Sequence, residues 1–527
     1  MVTQQNNHTK RLLDEQAVQL LNTAAGFIDR LVLTAILLRV WETKTFETWS
    51  ALAAFATLAS LFEFGFNLYF NNRITFQMER GDNVGAAHTY RVANTVLLAS
   101  TVIGIAVMAF AASTIGPDAV RDDPLTALGL VSLVLASFLR LMMAGPSALY
   151  RANRQYARLT LILTAGEFAR IGGIMAAAMI GGGIGGAGLA ALGIQTIVFV
   201  YITFIDTRRR YYPFEFGFAI PRGEILREGL AKSTGYFSQL FPVILWTSLP
   251  ILFLERESVV PGVLTGFIIV RTLSNVARTP LQSFGVVVGQ EFGRRIAVSD
   301  QHGAFQTFER SARLFSVLAG IGVGMLIVGG EHVIAIWAGD DSLFSLTLLG
   351  VGLAPMLLAP ASLLAHNALL ASNSPYIAAV ARWFQVALTV LAWLVVPIDD
   401  HAIRMMVALA VGEVAGYAPA AYFAVGRMIP EAGVGFHGRN ILFSLASAGF
   451  AAVVTAALMQ LTNALVRSPN SILMMISFVI AGLFCGVFAI VVGFSKDSRD
   501  RLLNEVMKTR VFRLGMTGIG KKDGSGD

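Results

Sequence analysis

The sequence predicts an all-α, polytopic membrane protein with about fourteen transmembrane helices. Two parallel six-helix repeats are expected to surround a central cavity, with two extra helices at the C-terminus. Three observations predict this fold class: the composition is apolar, the apolar residues form segments of about 20 residues, and the basic residues collect in alternate loops.

The composition indicates that lipid surrounds most of the chain. Of the 527 residues, 55% are hydrophobic and only 14% are charged, too few to cover a water-soluble globule of this size. The net charge of +7 also fits a nucleic-acid-binding protein, but the basic residues stand in short loops without interleaved aromatic side chains. We therefore expect a lipid bilayer as partner and no nucleic acid.

The apolar segments follow one another with short loops between them. The first contains Asp29 and Arg30 and is longer than the core of a signal peptide, so we expect it to be retained as a span. Pro242 and Pro250 predict kinks in the seventh segment, because proline removes a helix hydrogen bond. In chain order the predicted spans are 16–40, 48–71, 92–114, 125–149, 159–182, 184–205, 231–254, 259–288, 311–330, 343–372, 376–397, 402–427, 440–462 and 470–495.

A polar connector, 206–230, separates the sixth span from the seventh. It contains the run Arg208, Arg209 and Arg210, and its last part, 224–230, is predicted to form a short amphipathic helix on the membrane face. The connector divides the chain into predicted domains. These are an N-terminal bundle (1–205), the basic cytoplasmic connector (206–230), a C-terminal bundle (231–427), two extra helices (440–495) and a basic cytoplasmic tail (496–527).

The loop charges predict the orientation. With the N-terminus inside, 28 of the 40 Lys and Arg residues fall in inner loops and tails and 5 fall in outer loops. Because cytoplasmic loops accumulate Lys and Arg, both termini are expected to be cytoplasmic.

The two bundles share a weak internal repeat. At an offset of 218 residues, Asp82 and Gly85 before the third span match Asp300 and Gly303 before the ninth. Each bundle has an even number of spans, so the two are expected to be parallel repeats about an axis normal to the membrane.

Three stretches resemble the polysaccharide flippases and exporters of the multidrug/oligosaccharidyl-lipid/polysaccharide superfamily. They are 41–82, with the second span; 147–159, SALYRANRQYARL; and 278–306, with TPLQSFGVVVGQEF at its core. The first departs from the family's pattern, because Glu47 and Thr48 stand where a glycine is common. The resemblance implies two bundles that face each other across a cavity opening alternately to each side. It also implies a lipid-linked oligosaccharide as cargo, usually on undecaprenyl pyrophosphate.

Several charged residues fall inside predicted spans, where each needs a partner or a watery cavity. Glu167 and Arg170 are three residues apart on one helical face and are expected to pair. Arg271 and Arg278 lie two turns apart with no acid on their own helix, an arrangement that suits the oxygens of a pyrophosphate. The alternative is that each pairs with an acid on a neighbouring helix. The other intramembrane charges are Asp29, Arg30, Glu63, Arg140, Arg382 and Glu413.

Asp29 and Arg30 are about 100° apart around the helix, so they cannot both face one partner. Arg30 is a candidate phosphate contact and Asp29 a candidate cation or proton site, with packing between helices as the alternative for both. Glu63 and Glu413 are further candidates for ion coupling, and Glu63 could equally neutralise Arg140 or Arg30.

No enzymatic motif is present. The chain lacks a Walker motif, and its one cysteine, Cys485, excludes a cysteine-based metal site. We expect no catalytic residues, no metal and no cofactor, and energy from an ion gradient or the membrane potential.

The expected function is that of a secondary flippase in the bacterial inner membrane, which moves a lipid-linked oligosaccharide to the outer leaflet for surface polysaccharide assembly. Polysaccharide polymerase or export proteins are candidate partners. A cation-coupled multidrug exporter of the same fold is the alternative, although its cavity should be net acidic. A membrane polysaccharide polymerase or ligase is the third possibility, but the short outer loops offer no room for clustered catalytic residues.

Overall fold

The computed structural model describes residue 18 and the ranges 21–211, 214–221, 223–257, 262–372, 375–429 and 434–465, together with residues 473, 476–477, 479–482 and 484–485. All regular structure in these ranges is helical. In chain order the main helices are α1 (Leu21–Val40), α2 (Thr43–Glu63), α3 (Phe66–Glu79), α4 (Asn83–Ile115), α5 (Pro124–Ala152), α6 (Tyr156–Met179), α7 (Gly183–Arg210), α8 (Gly223–Glu257), α9 (Val263–Ala297), α10 (Gln301–Ala338), α11 (Leu346–Leu358), α12 (Ser362–Ala371), α13 (Pro375–Val395), α14 (His401–Met428) and α15 (Val434–Leu465).

The predicted all-α, polytopic fold is confirmed. Among the described residues, 10 helices are long and apolar enough to cross a membrane, or 12 if each of two bent pairs forms one span. The pairs are α2 with α3, bent by 44°, and α11 with α12, bent by 52°. Every predicted span up to 440–462 coincides with a helix or bent pair. The eighth is α9, whose hydropathy is lowered by Arg271 and Arg278, and the fourteenth, 470–495, lies largely outside the described residues.

Two expectations for the connector need correction. Residues 224–230 do not form a separate helix, because α8 runs unbroken from Gly223 to Glu257. Thr207–Arg210 is likewise the last turn of α7 rather than loop. Hydropathy shows only where the apolar part of a helix ends. Both helices extend past that point, because the polar residues there include good helix formers.

Aspartate caps begin several helices and explain the repeated sequence match. The Asp82 carboxylate accepts a hydrogen bond from the Gly85 backbone N–H (2.8 Å) at the start of α4. The Asp300 carboxylate accepts the same bond from the Gly303 N–H (2.9 Å) at the start of α10. The pairs matched in sequence therefore have the same local role, which satisfies one of the free N–H groups of each helix.

The contacts divide the chain into two units. The first comprises Met1–Val276, Val333–Gly352 and Ser374–Ala421, and the second comprises Ala277–His332, Leu353–Asn373 and Tyr422–Asp527. In the first unit, α5 and α7 meet at glycines, since a Cβ on Gly188 would lie 2.8 Å from the Cα of Gly129. Small residues allow such close packing of helices in lipid.

The second unit has its own glycine stripe. Gly285, Gly289 and Gly293 recur every four residues along α9, and a Cβ on any of them would come within 3.0 Å of Asn367 or Ala371 in α12. This stripe lies in the stretch TPLQSFGVVVGQEF and the residue after it. Its spacing therefore reflects backbone packing between two helices.

Candidate functional site

A polar cavity of about 550 Å³ lies within the first unit, among α1, α2, α3, α5 and α6. Two of the predicted intramembrane acids, Glu63 and Glu167, line it together with Arg140. Its other polar side chains are Asn22, Thr57, Ser60, Asn67, Asn71, Ser137, Ser147, Arg151, Tyr156 and Thr160. Such a concentration of polar groups at the depth of the spans is suited to water or a small ion.

Beside this cavity, Arg170 joins two carboxylates. Its Nη2 lies 2.6 Å from Asp29 Oδ1 and 2.6 Å from Glu167 Oε1. The predicted pairing of Glu167 with Arg170 is confirmed, and Asp29 on α1 is an added partner that the sequence did not indicate. One cation thus pairs with two acids, and Arg140 in the cavity wall also acts on Glu167 through its charge.

Asp29 and Arg30 point to different surroundings. Asp29 is tied to Arg170, whereas the Arg30 side chain is exposed and forms no ion pair with any described residue. Both stand in the π-helical turn Asp29–Leu33. The expectation that the two cannot face one partner is confirmed, and Arg30 keeps an unneutralised charge within the described part of the chain.

Glu63 stands where the second span breaks. The break is made by Phe64 (φ 48°) and Gly65 (φ 75°), and a Cβ at Gly65 would lie 2.6 Å from the Ser233 carbonyl oxygen of α8. Glycine is needed there both for its positive φ and for this close approach. No described cation forms an ion pair with Glu63, which instead interacts with the Asn67 side chain. The predicted span 48–71 therefore corresponds to the bent pair of α2 and α3.

Arg271 is buried on α9 and is held by backbone oxygens of α8. Its Nη2 donates to the Trp246 carbonyl and its Nη1 to the Thr247 carbonyl, both at 2.8 Å, and the guanidinium lies over the Trp246 ring at 5.4 Å. No described carboxylate forms an ion pair with it. A buried guanidinium without a carboxylate is costly, so this position favours an anionic ligand.

The remaining predicted residues lie elsewhere. Arg278 is also buried on α9, but it belongs to the second unit. The paired-arginine clamp with Arg271 therefore stays a prediction. Glu413 is buried in the π-helical turn Gly412–Tyr417 of α14, which packs on α13 through Gly412 and Gly416.

Each of the three π-helical turns in the described ranges contains one acid, namely Asp29, Asp206 or Glu413. Asp206 was not singled out from the sequence. Its carboxylate accepts hydrogen bonds from Arg158 at 2.7 and 3.0 Å and from the Tyr150 hydroxyl at 2.5 Å. With these partners Asp206 fixes the end of α7, where the connector begins. π-Turns are frequent at functional sites.

Glu47 is a second residue that sequence reasoning missed. It is buried on α2, and its Oε1 accepts hydrogen bonds from the Gly262 N–H (2.9 Å), the Thr265 N–H (3.2 Å) and the Thr265 hydroxyl (3.2 Å). It thereby caps the N-terminus of α9 from another helix. The available signal was its departure from the family's pattern.

No group of three or more His, Cys, Asp or Glu side chains that could hold a metal ion occurs among the described residues. The candidate site is therefore one of isolated charges and polar side chains rather than a metal centre.

Comparison with known proteins is informative at the level of fold. No protein-family model matches the sequence, and no curated protein matches it. The solved structure of the lipid II flippase MurJ in an inward closed conformation is similar, with a TM-score of 0.64, 14% identity and coverage of 90% of this chain and 98% of that one. An inward-facing multidrug resistance MATE family transporter of the MOP superfamily gives a TM-score of 0.60 at 12% identity, covering 75% of this chain and 93% of that one. The chain therefore has the fold of these multi-pass transporters.

Proposed function

We propose that this protein is a secondary flippase that moves a lipid-linked oligosaccharide from the cytoplasmic to the outer leaflet of the bacterial inner membrane, for assembly of a surface polysaccharide. The observation that carries the proposal is Arg271, a buried cation whose described partners are neutral carbonyls. A phosphate would supply the missing negative charge through charge-assisted hydrogen bonds. The likeness to a lipid II flippase over 90% of the chain supports a lipid-linked cargo.

In this mechanism Arg271, Arg278 and Arg30 contact the pyrophosphate and saccharide in the central cavity. Asp29, Glu63 and Glu413 are the proposed sites of ion coupling. Asp29 shares its only described cation, Arg170, with Glu167, and this supports Asp29 in the role, because a bound cation or proton would complete its neutralisation. Its binding would then favour one of the two orientations of the cavity.

Transport in proteoliposomes tests the proposal. A fluorescent polyprenyl pyrophosphate-linked disaccharide is placed in both leaflets, and an impermeant quencher reports its movement. Arg271→Gln and Arg30→Gln should each slow movement tenfold or more, since a lost hydrogen bond to a charged group corresponds to about 1.5–3 kcal/mol. Arg209→Gln, which removes an exposed arginine of the connector, is the matched control. Equal rates for all four proteins would overturn the assignment of the cavity arginines.

A cation-coupled multidrug exporter is the second candidate. The acids Glu63 and Glu167 in the wall of the polar cavity favour it, and the likeness to a multidrug resistance transporter supports it. Proteoliposomes that expel ethidium in response to an ion gradient, but do not move the lipid-linked disaccharide, would establish this candidate instead.

A further inference from the structure

A second cavity of about 660 Å³ lies in the first unit where α3 and α8 meet the first turn of α13. None of the residues proposed above for cargo or ions lines it. The loop charges predict this end of the helices to be cytoplasmic. The volume is within the usual range of small-molecule sites.

The cavity wall carries one positive charge in excess. Arg73, Arg80 and Lys232 line it, against Asp82 and Glu228. Asp82 is already occupied as the cap of α4. Arg80 forms no ion pair with any residue in the described ranges, so its charge is available to a ligand.

Glu228 lies between two of the cations. Its Oε2 lies 2.5 Å from Arg73 Nη1, and its Oε1 lies 2.7 Å from Lys232 Nζ. Tyr69 completes this group, because its hydroxyl accepts a hydrogen bond from Arg73 at 2.8 Å and donates one to Glu228 at 3.2 Å. The Arg73 and Lys232 side chains remain 28% and 64% exposed, so both also face open space.

The rest of the wall can contact a saccharide. Tyr236 and Tyr376 supply aromatic faces, and Asn72 and Gln77 supply amides. The Gln77 Oε1 atom is buried and has no hydrogen-bond partner among the described residues. A buried acceptor in this condition is costly, and a ligand hydroxyl would satisfy it.

We propose that this cavity is a cytoplasmic loading site for the phosphate or pyrophosphate of the saccharide carrier, and that Glu228 occupies the anion position until the headgroup displaces it. The inference rests on the proposed function. On binding, Arg73 and Lys232 contact phosphate oxygens in place of the Glu228 carboxylate, and Arg80 adds a third cation. The sugar then lies against Tyr236 and Tyr376.

The proposal predicts opposite effects for the two sides of the ion pair. Glu228→Gln removes the competing carboxylate and should tighten anion binding, whereas Arg73→Gln and Lys232→Gln should weaken it. If the ion pair only fastened α3 to α8, loss of either side would loosen the same contact, and the effects would have the same sign.

The test is a calorimetric titration of the full-length, detergent-solubilised protein with farnesyl pyrophosphate and, separately, with inorganic pyrophosphate. It is performed in the Arg271→Gln, Arg30→Gln background, so that binding to these cavity arginines does not hide the second site. Glu228→Gln should bind farnesyl pyrophosphate at least fivefold more tightly, and Arg73→Gln and Lys232→Gln at least tenfold more weakly. Glu291→Gln and Arg294→Gln are matched controls, because these residues form an exposed ion pair elsewhere, on α9.

Changes of one sign in all three pocket variants, or no change beyond the controls, would overturn the proposal. Equal affinity for the two probes would overturn the lipid-linked source and assign the site to a free phosphate compound. Opposite signs, together with no movement of the lipid-linked disaccharide by the protein that retains Arg271 and Arg30, would reject the proposed function while the anion site stands. Normal transport by the protein that retains Arg271 and Arg30, with binding unaltered in the pocket variants, would reject only the loading site.

Discussion

Arg271 of α9 donates a hydrogen bond to the carbonyl of Trp246 in α8, the carbonyl that the helix cannot use because Pro250 stands four residues later. Proline has no N–H, so this oxygen would otherwise lose its helical partner. Arg271 therefore satisfies an oxygen that Pro250 leaves without its helical donor, as well as carrying a charge suited to the cargo. The two roles can be separated by mutation.

Arg271→Ala should lower the free energy of unfolding by about 2 kcal/mol, because it leaves the Trp246 carbonyl without its donor. Adding Pro250→Ala restores a backbone N–H at residue 250 and should recover most of this loss. The thermal midpoint of the purified protein measures both changes. Transport should stay low in the double variant, because the cargo contact is still missing. Recovery of transport together with stability would show that Arg271 acts only by satisfying the Trp246 carbonyl.

Arg170→Gln should destabilise the first unit, because it leaves Asp29 and Glu167 without their shared cation. We expect a loss of about 2 kcal/mol, less than for a fully buried pair, since these side chains are 21–34% exposed. Glu167→Gln is the control, because it retains the Asp29–Arg170 pair and should be tolerated. Thermal midpoints of the two variants give the comparison, and equal losses would contradict the role of Arg170 as the cation shared by both acids.

The same group of residues allows a test of ion coupling. Asp29→Asn should abolish the dependence of transport on an ion gradient, while Glu167→Gln should preserve it. The measurement is the rate of cargo movement in proteoliposomes with and without an imposed gradient of protons or sodium ions. Gradient-driven transport by Asp29→Asn would exclude Asp29 and leave Glu63 and Glu413 as candidates.

Glu47→Ala should cost about 1–3 kcal/mol of stability, because it leaves the Gly262 and Thr265 N–H groups at the start of α9 without an acceptor. Glu47→Gln keeps one acceptor oxygen and should lose less. Thr265→Val removes only the hydrogen bond from the Thr265 hydroxyl to Glu47 (3.2 Å), so its effect on stability measures that bond separately from the two backbone N–H bonds. Backbone amides in the first turn of α9 should exchange hydrogen faster in Glu47→Gln than in the unmodified protein, and faster still in Glu47→Ala. Unchanged exchange in Glu47→Ala would contradict the capping role.

Gly289→Ala should destabilise the second unit, since the added Cβ would lie 2.8 Å from the Asn367 carbonyl oxygen. Gly449→Ala, in α15, is the matched control, because nothing lies within 4 Å of its Cβ position. The control should be neutral or stabilising by about 0.4–1 kcal/mol. Fluorescence-detected gel filtration after heating would compare the two, and equal behaviour would contradict close packing of α9 on α12.

The sequence was sufficient for features that depend on local patterns. Hydropathy located the spans, and the three-residue spacing of Glu167 and Arg170 predicted their pair. The match of Asp82 with Asp300 located two equivalent helix caps. Each of these follows from residues close together in the chain, whose geometry a helix fixes.

Features that depend on which helices are neighbours could not be predicted in this way. Asp29 and Arg170 are 141 residues apart, and Arg73 and Glu228 are 155 apart, so nothing local indicates their pairing. The π-helical turns have no sequence pattern of their own. The break at Gly65 had a partial signal in the glycine, but the close approach of the Ser233 carbonyl oxygen of α8 exists only in the folded chain.

The most direct test of the central claim is the leaflet distribution of lipid-linked saccharides in a strain that lacks this protein. Spheroplasts are treated with an impermeant label, and the polyprenyl-linked saccharides are extracted and separated into labelled and unlabelled pools. The proposed function predicts that unlabelled, inner-leaflet intermediates accumulate and that restoring the gene clears them, whereas Arg271→Gln does not. Normal intermediates in both leaflets, together with increased sensitivity to cationic drugs, would contradict it and favour the multidrug exporter.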